Sequence, residues 1–66
     1  MAADLEDIRG RLEVLAEELA DLSMEALRDA IDAGERGRPA TERRLTQARR
    51  SVERAASLLR SDEEEP

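Results

Sequence analysis

Apolar residues recur at alternating three- and four-residue intervals in two stretches of the chain, Leu5, Ile8, Leu12, Leu15, Leu19, Leu22 and then Leu45, Ala48, Val52, Ala55, Leu59, with polar and charged residues filling most positions between them. That period belongs to an amphipathic α-helix, since a strand would alternate every second residue. The pattern predicts a helix over about 4–33, a loop over 34–38 and a second helix over about 39–60, forming a single all-α antiparallel hairpin within residues 1–61. Local signals agree. Asp4 suits an N-cap with Glu6 and Asp7 near the positive end of the helix dipole. Gly34 suits a left-handed C-terminal cap, Gly37 gives the loop a second flexible point, and Pro39 fits the first turn of the next helix, where its missing N–H costs nothing. Gly10, inside the first helix, costs about 1 kcal/mol relative to Ala.

After Leu22 the pattern divides. Ala26, Ala30 and Ala33 continue the stripe, while the larger Leu27 and Ile31 lie about 100° to one side of it. Either the helix runs on, with a small-residue seam against its partner and Leu27 and Ile31 covering a second neighbour, or it breaks near Ser23. Asp21-Leu22-Ser23-Met24 contains neither Gly nor Pro to force a turn, which favours the continuous helix. Ser23 is expected to cap a helix or to face solvent. Folding about the loop brings Leu45 near Leu27 and Arg28, Val52 near Asp21 and Leu22, and Leu59 near Leu15. Leu5, Ile8 and Leu12 then overhang the shorter second helix by roughly two turns.

Composition turns this pattern into an expectation about assembly. A chain of 66 residues buries a thin core, and small domains usually add disulfides, metals or association. The sequence contains no Cys and no His, which removes disulfides, thiolate sites and the commonest neutral metal ligand. Association remains. A homo-oligomer is expected, a dimer forming a coiled-coil-like four-helix bundle, with Leu5, Ile8, Leu12, Leu15, Leu19, Leu22, Leu27, Ile31, Leu45, Val52 and Leu59 as its interface. Net charge is −6, and it is unevenly distributed. The first helix is acidic and the second is rich in arginine, so antiparallel pairing within or between hairpins is favoured. Residues 62–66, Asp-Glu-Glu-Glu-Pro, read as a solvated tail. Crowded carboxylates on the first helix are expected to have raised pKa values, so that mild acid stabilises the fold. No run of consecutive apolar residues exceeds three and the N-terminal stretch is acidic, so neither a membrane segment nor a signal peptide is expected, and the location expected is cytoplasmic.

The catalytic inventory is sparse. Besides His and Cys, the chain lacks Lys, Tyr, Trp, Phe and Asn. Its hydroxyls, Ser23, Thr41, Thr46, Ser51, Ser57 and Ser61, have no imidazole or amine to activate them, so no enzyme and no cofactor are expected. Glu17, Asp21, Glu25 and Asp29 recur every four residues and could in principle present oxygen ligands to Mg²⁺ or Ca²⁺. They lie roughly opposite the Leu stripe, and a solvated acidic face is the expectation. Arg43, Arg50 and Arg54 form a row on the outer side of the second helix, where basic rows can contact phosphate. With no aromatic stacking residue and a negative net charge, a solubilising or subunit-bridging face is expected instead of a nucleic-acid site.

Leu5-Glu6-Asp7-Ile8-Arg9, Glu17-Glu18-Leu19-Ala20-Asp21-Leu22 and the later Arg43-Arg44-Leu45, Ala48-Arg49-Arg50, Val52-Glu53 and Ala55 resemble small uncharacterised helical proteins of actinobacteria over most of the chain. That resemblance implies a helical hairpin and no activity. Length and layout are also similar to the small subunit of exonuclease VII, although residues 34–39 depart from that family's loop and second-helix pattern. The expected role is therefore a scaffold, adaptor or small regulatory protein acting through helix–helix contacts. The alternative is an accessory subunit of a nucleic-acid-processing enzyme.

Overall fold

A computed structural model describes residues 4–60, which form two helices, α1 (Leu5–Asp32) and α2 (Ala40–Leu59), packed against each other. The acidic residues 62–66, expected as a tail, lie outside the described residues. Each helix begins and ends within a residue or so of the bounds that the periodicity predicts. α1 runs unbroken through Ser23, so the alternative of a separate short helix from that residue is set aside. It starts where Asp4 caps it, the Oδ1 accepting from the Asp7 N–H at 2.8 Å.

Its C-terminal end is a Schellman arrangement. The Gly34 N–H donates to the Ile31 carbonyl at 3.0 Å and the Glu35 N–H to the Ala30 carbonyl at 2.9 Å. This geometry needs a left-handed residue, and Gly34 supplies φ 79°. Pro39 then takes the N-cap position of α2, one residue before the first turn, and offers no side-chain acceptor.

The seam between the helices is built from small residues. On α1 the buried positions are Ala16, Ser23 and Ala30, a strict seven-residue repeat, and on α2 they are Glu42, Thr46 and Ala56. Arg49, seven residues from both Glu42 and Ala56, is half-buried. Antiparallel pairing of these repeats sets Ala16 level with Ala56, as their shared groove shows, and by the helical rise it would set Ser23 level with Arg49 and Ala30 with Glu42. The side chains are small on the α1 side of each level, facing Ala56, Arg49 and Glu42 on α2, and most of the large apolar residues flank the seam instead of filling it. That is a correction to the sequence reading, in which the Leu stripe itself closes the hairpin. Ser23 is corrected too: it neither caps nor faces solvent, and its Oγ is buried with no hydrogen-bond partner.

α1 has 28 residues and α2 has 20. At 1.5 Å per residue the first helix is longer by about 12 Å. The Cα trace measures 48 × 30 × 12 Å, a single layer one helix thick, so both broad faces of the hairpin meet solvent.

Candidate helix–helix interface

Successive residues of an α-helix are rotated by about 100°, which fixes where each side chain stands relative to the seam. With Ala16 pointing at α2, the series Ile8, Leu12, Leu15, Leu19, Leu22 is centred about 70–80° to one side. With Ala56 pointing at α1, Leu45, Ala48, Val52, Ala55 and Leu59 are centred about 60° from it in the same rotational sense. Because the helices run in opposite directions, equal senses of rotation bring both stripes to the same broad face of the hairpin. That face is apolar across both helices. Leu12, Leu19, Leu45, Val52 and Leu59, nearer the seam, are half-buried, whereas Leu15 and Leu22 are each 48% exposed. Ile8 is half-buried and Leu5 is exposed, both on the part of α1 that outreaches α2.

Two residues expected at the same interface go elsewhere. Leu27 turns into the seam and is half-buried there, while Ile31, exposed, projects on the opposite side from the Leu stripe. The separation follows from the 100° step between the large residues at 27 and 31 and the alanines that carry the stripe onward. Leu58, also exposed, lies just outside the α2 stripe and was missed because it falls off the three-four spacing.

The opposite broad face carries the exposed Met24 and Ile31 toward the loop and is mainly charged elsewhere. A shallow groove there is lined by Glu13, Glu17, Arg49, Glu53 and Arg60 over a floor of Ala16, Ala20 and Ala56. Among the described residues, Arg9 pairs with Glu6 and Glu13, Arg11 with Asp7, Arg38 with Glu42 and Arg49 with Glu53, each three or four positions apart in sequence. None of these pairs bridges α1 to α2. The marked contrast in charge between the helices is therefore left unused by them: α1 holds nine carboxylates and three arginines, α2 five arginines and two glutamates.

Glu42 is the carboxylate the fold treats most distinctively. Its side chain is buried, Oε1 accepts from Arg38 Nε at 2.8 Å and Oε2 accepts from Thr46 Oγ1 at 2.8 Å. The Arg38 hydrogen bond, then that of Thr46, hold its carboxyl below the ordinary range against the opposing effect of burial, and the Arg38 and Arg43 charges add to the lowering. Sequence reasoning missed this site. Glu42 four residues after Arg38 and four before Thr46 is the signal that marks it.

Of the basic row, Arg43 donates through Nη1 to the Arg38 carbonyl at 2.8 Å and so braces the loop. Arg50 and Arg54 stand exposed on the outer side of α2. Glu17, Asp21, Glu25 and Asp29 are all exposed, and among the described residues no group of three or more carboxylates is placed to hold a metal ion. No helix among the described residues is long and apolar enough to cross a membrane. Compared with protein-family models, curated proteins and solved structures, the chain matches none.

Proposed function

We propose that this protein is a non-enzymatic helix–helix interaction module that acts as a homodimer, serving as a scaffold, adaptor or small regulatory protein in the cytoplasm. The observation that carries this reading is the division of labour between small and large residues. The hairpin closes on Ala16, Ser23, Ala30 and Ala56, leaving the leucines of both helices gathered on one broad face with Leu15 and Leu22 half exposed. Contiguous apolar surface of this kind on a monomer marks a partner site. A second copy offers the matching surface by symmetry and converts two thin layers into a four-helix bundle with one shared core. Sedimentation equilibrium at micromolar concentration tests it: a dimer of this 7.4-kDa chain is expected, and a folded, cooperative monomer overturns the reading.

A second reading draws on Arg50 and Arg54, which stand exposed on the outer side of α2, away from the Leu face. An accessory subunit of a nucleic-acid-processing enzyme could use such a row to follow phosphates. Titration with labelled DNA and RNA at two salt concentrations separates the two. Salt-sensitive binding that weakens in Arg50→Ala and Arg54→Ala favours the second reading.

A further inference from the structure

We infer that two hairpins pair face to face about a two-fold axis parallel to the helices, so that α1 of each copy lies over α2 of its partner and not over the partner's α1. This rests on the homodimer reading above and specifies its geometry. A face-to-face pair of single layers has two simple options, with the axis in the interface plane either along the helices or across them. The first stacks α1 on the partner's α2, and the second stacks each helix on its own copy. Neighbouring helices are antiparallel in both, so topology does not choose between them.

Charge and size do. Most carboxylates of α1 stand away from the apolar face, but Glu18 and Asp29 stand toward its outer margin, as Arg44 does on α2, so stacking α1 on α1 would set carboxylates near one another whereas stacking α1 on α2 sets them near an arginine. Like-charge juxtaposition across an interface is a strong selector against a wrong arrangement. The side chains that point most directly out of the apolar face are large on α1, Leu15 and Leu22, and small on α2, Ala48 and Ala55. Large residues set over small ones interdigitate, while Leu on Leu and Ala on Ala would leave the two halves of the interface at different spacings.

Register follows from symmetry. Rotation about an axis parallel to the helices leaves each residue at its own height, so the level-by-level pairing within one hairpin is repeated between copies. At the outer margin of the face this pairs two further seven-residue repeats, 15-22-29 on α1 and 58-51-44 on α2. Leu15 stands between the partner's Ala55 and the partner's Leu58, Leu22 between the partner's Ala48 and the partner's Ser51, and Asp29 meets the partner's Arg44. Leu58 is 65% exposed in the single hairpin and has no role in its seam, and the arrangement gives it an apolar neighbour. Asp29 and Arg44 are both exposed in the single hairpin and become an inter-copy ion pair.

The chain has no cysteine, so single-cysteine variants report the pairing directly. Leu22→Cys and Ser51→Cys, carrying different mass tags, are mixed to allow subunit exchange and oxidised, a disulfide requiring Cβ atoms within about 3.5–4.5 Å. A covalent dimer joining one chain of each variant is expected in the mixture, with no covalent dimer from either variant alone. Sedimentation of the same samples and their helical circular dichroism show that they remain folded dimers. If Leu22→Cys alone cross-links to itself, or if the folded dimer forms no mixed disulfide, the arrangement is overturned while the homodimer reading stands. A folded monomer overturns both. Charge reversal gives an independent readout: Asp29→Arg and Arg44→Asp should each shift the equilibrium toward monomer, and the double variant should recover the dimer. Failure of the double variant to recover it counts against the Asp29–Arg44 pairing.

Discussion

Arg38 Nε donates to Glu42 Oε1 at 2.8 Å, tying the loop to the first turn of a helix whose N-cap, Pro39, has no side-chain acceptor. The carboxylate is also held by Thr46 Oγ1, so its charged form has two partners in the folded state that it lacks in the unfolded chain. A carboxyl whose folded pKa lies below its unfolded value near 4.5 contributes stability that is fully present above that value and is lost as pH falls through the folded one. Glu42→Gln should therefore melt below the parent at about pH 6, with the gap narrowing as pH falls toward about 3. Comparing parent with variant at each pH isolates Glu42, where a single melt reports every titrating group at once. A gap that stays constant across that range would show that Glu42 contributes through packing alone.

Ser23 gives the opposite kind of prediction. Its hydroxyl is buried in the seam with no hydrogen-bond partner, which costs the desolvation of a polar group without compensation. Ser23→Ala keeps the small volume that the seam requires and removes the orphan oxygen. The variant should be more stable by about 1 kcal/mol. In a domain of this size that is a rise in Tm of about 4–8 °C. A lower Tm would mean that the hydroxyl has a partner in solution.

The two helices, their caps and the loop were legible because each rests on a local rule: a three-four apolar period, Asp4 at an N-cap, Gly34 at a left-handed turn. Which face closes the hairpin was legible only toward the loop, where the continuous-helix reading puts Ala30 on a small-residue seam. The sequence pattern weights residues by hydrophobicity, and so points to the Leu stripe. Close approach of two backbones instead selects small residues, and Ala16, Ser23, Ala30 and Ala56 carry almost no hydropathic signal. Ser23 was misplaced for that reason, since a hydroxyl reads as surface until the heptad it shares with Ala16 and Ala30 is noticed. Glu42 was missed because its burial depends on a loop arginine, Arg38, folding back over the first turn of α2.

Glycine separates two effects cleanly. Gly10 lies inside α1 with open space where a Cβ would stand, and Gly34 has equally open space but φ 79°. Gly10→Ala should stabilise by about 0.5–1 kcal/mol, through helix propensity and a less disordered unfolded chain. Gly34→Ala should destabilise by about 1 kcal/mol or more, since a β-carbon strains the left-handed cap even where nothing crowds it. Thermal melts of the two variants should shift in opposite directions. Equal shifts would show that the Gly34 turn relaxes to another conformation.

Leu15 and Ala16 are neighbours in sequence with different duties: Ala16 is 5% exposed at the seam within one hairpin, and Leu15 is 48% exposed on the face assigned to the second copy. Ala16→Leu forces a large side chain between closely packed helices and should cost about 1–3 kcal/mol of hairpin stability. That loss is intramolecular, so it should appear at every protein concentration. Leu15→Asp instead places a charge where two copies meet, and burying an unpaired carboxylate there is prohibitive, so the copies should separate. Because dimerisation links stability to concentration, the parent's Tm should rise with concentration, whereas the Tm of Leu15→Asp should be lower and independent of it. Measuring Tm over a hundredfold range of concentration for the parent and both variants distinguishes the two roles. If Leu15→Asp retains the parent's concentration dependence, the leucine face is not where the copies meet.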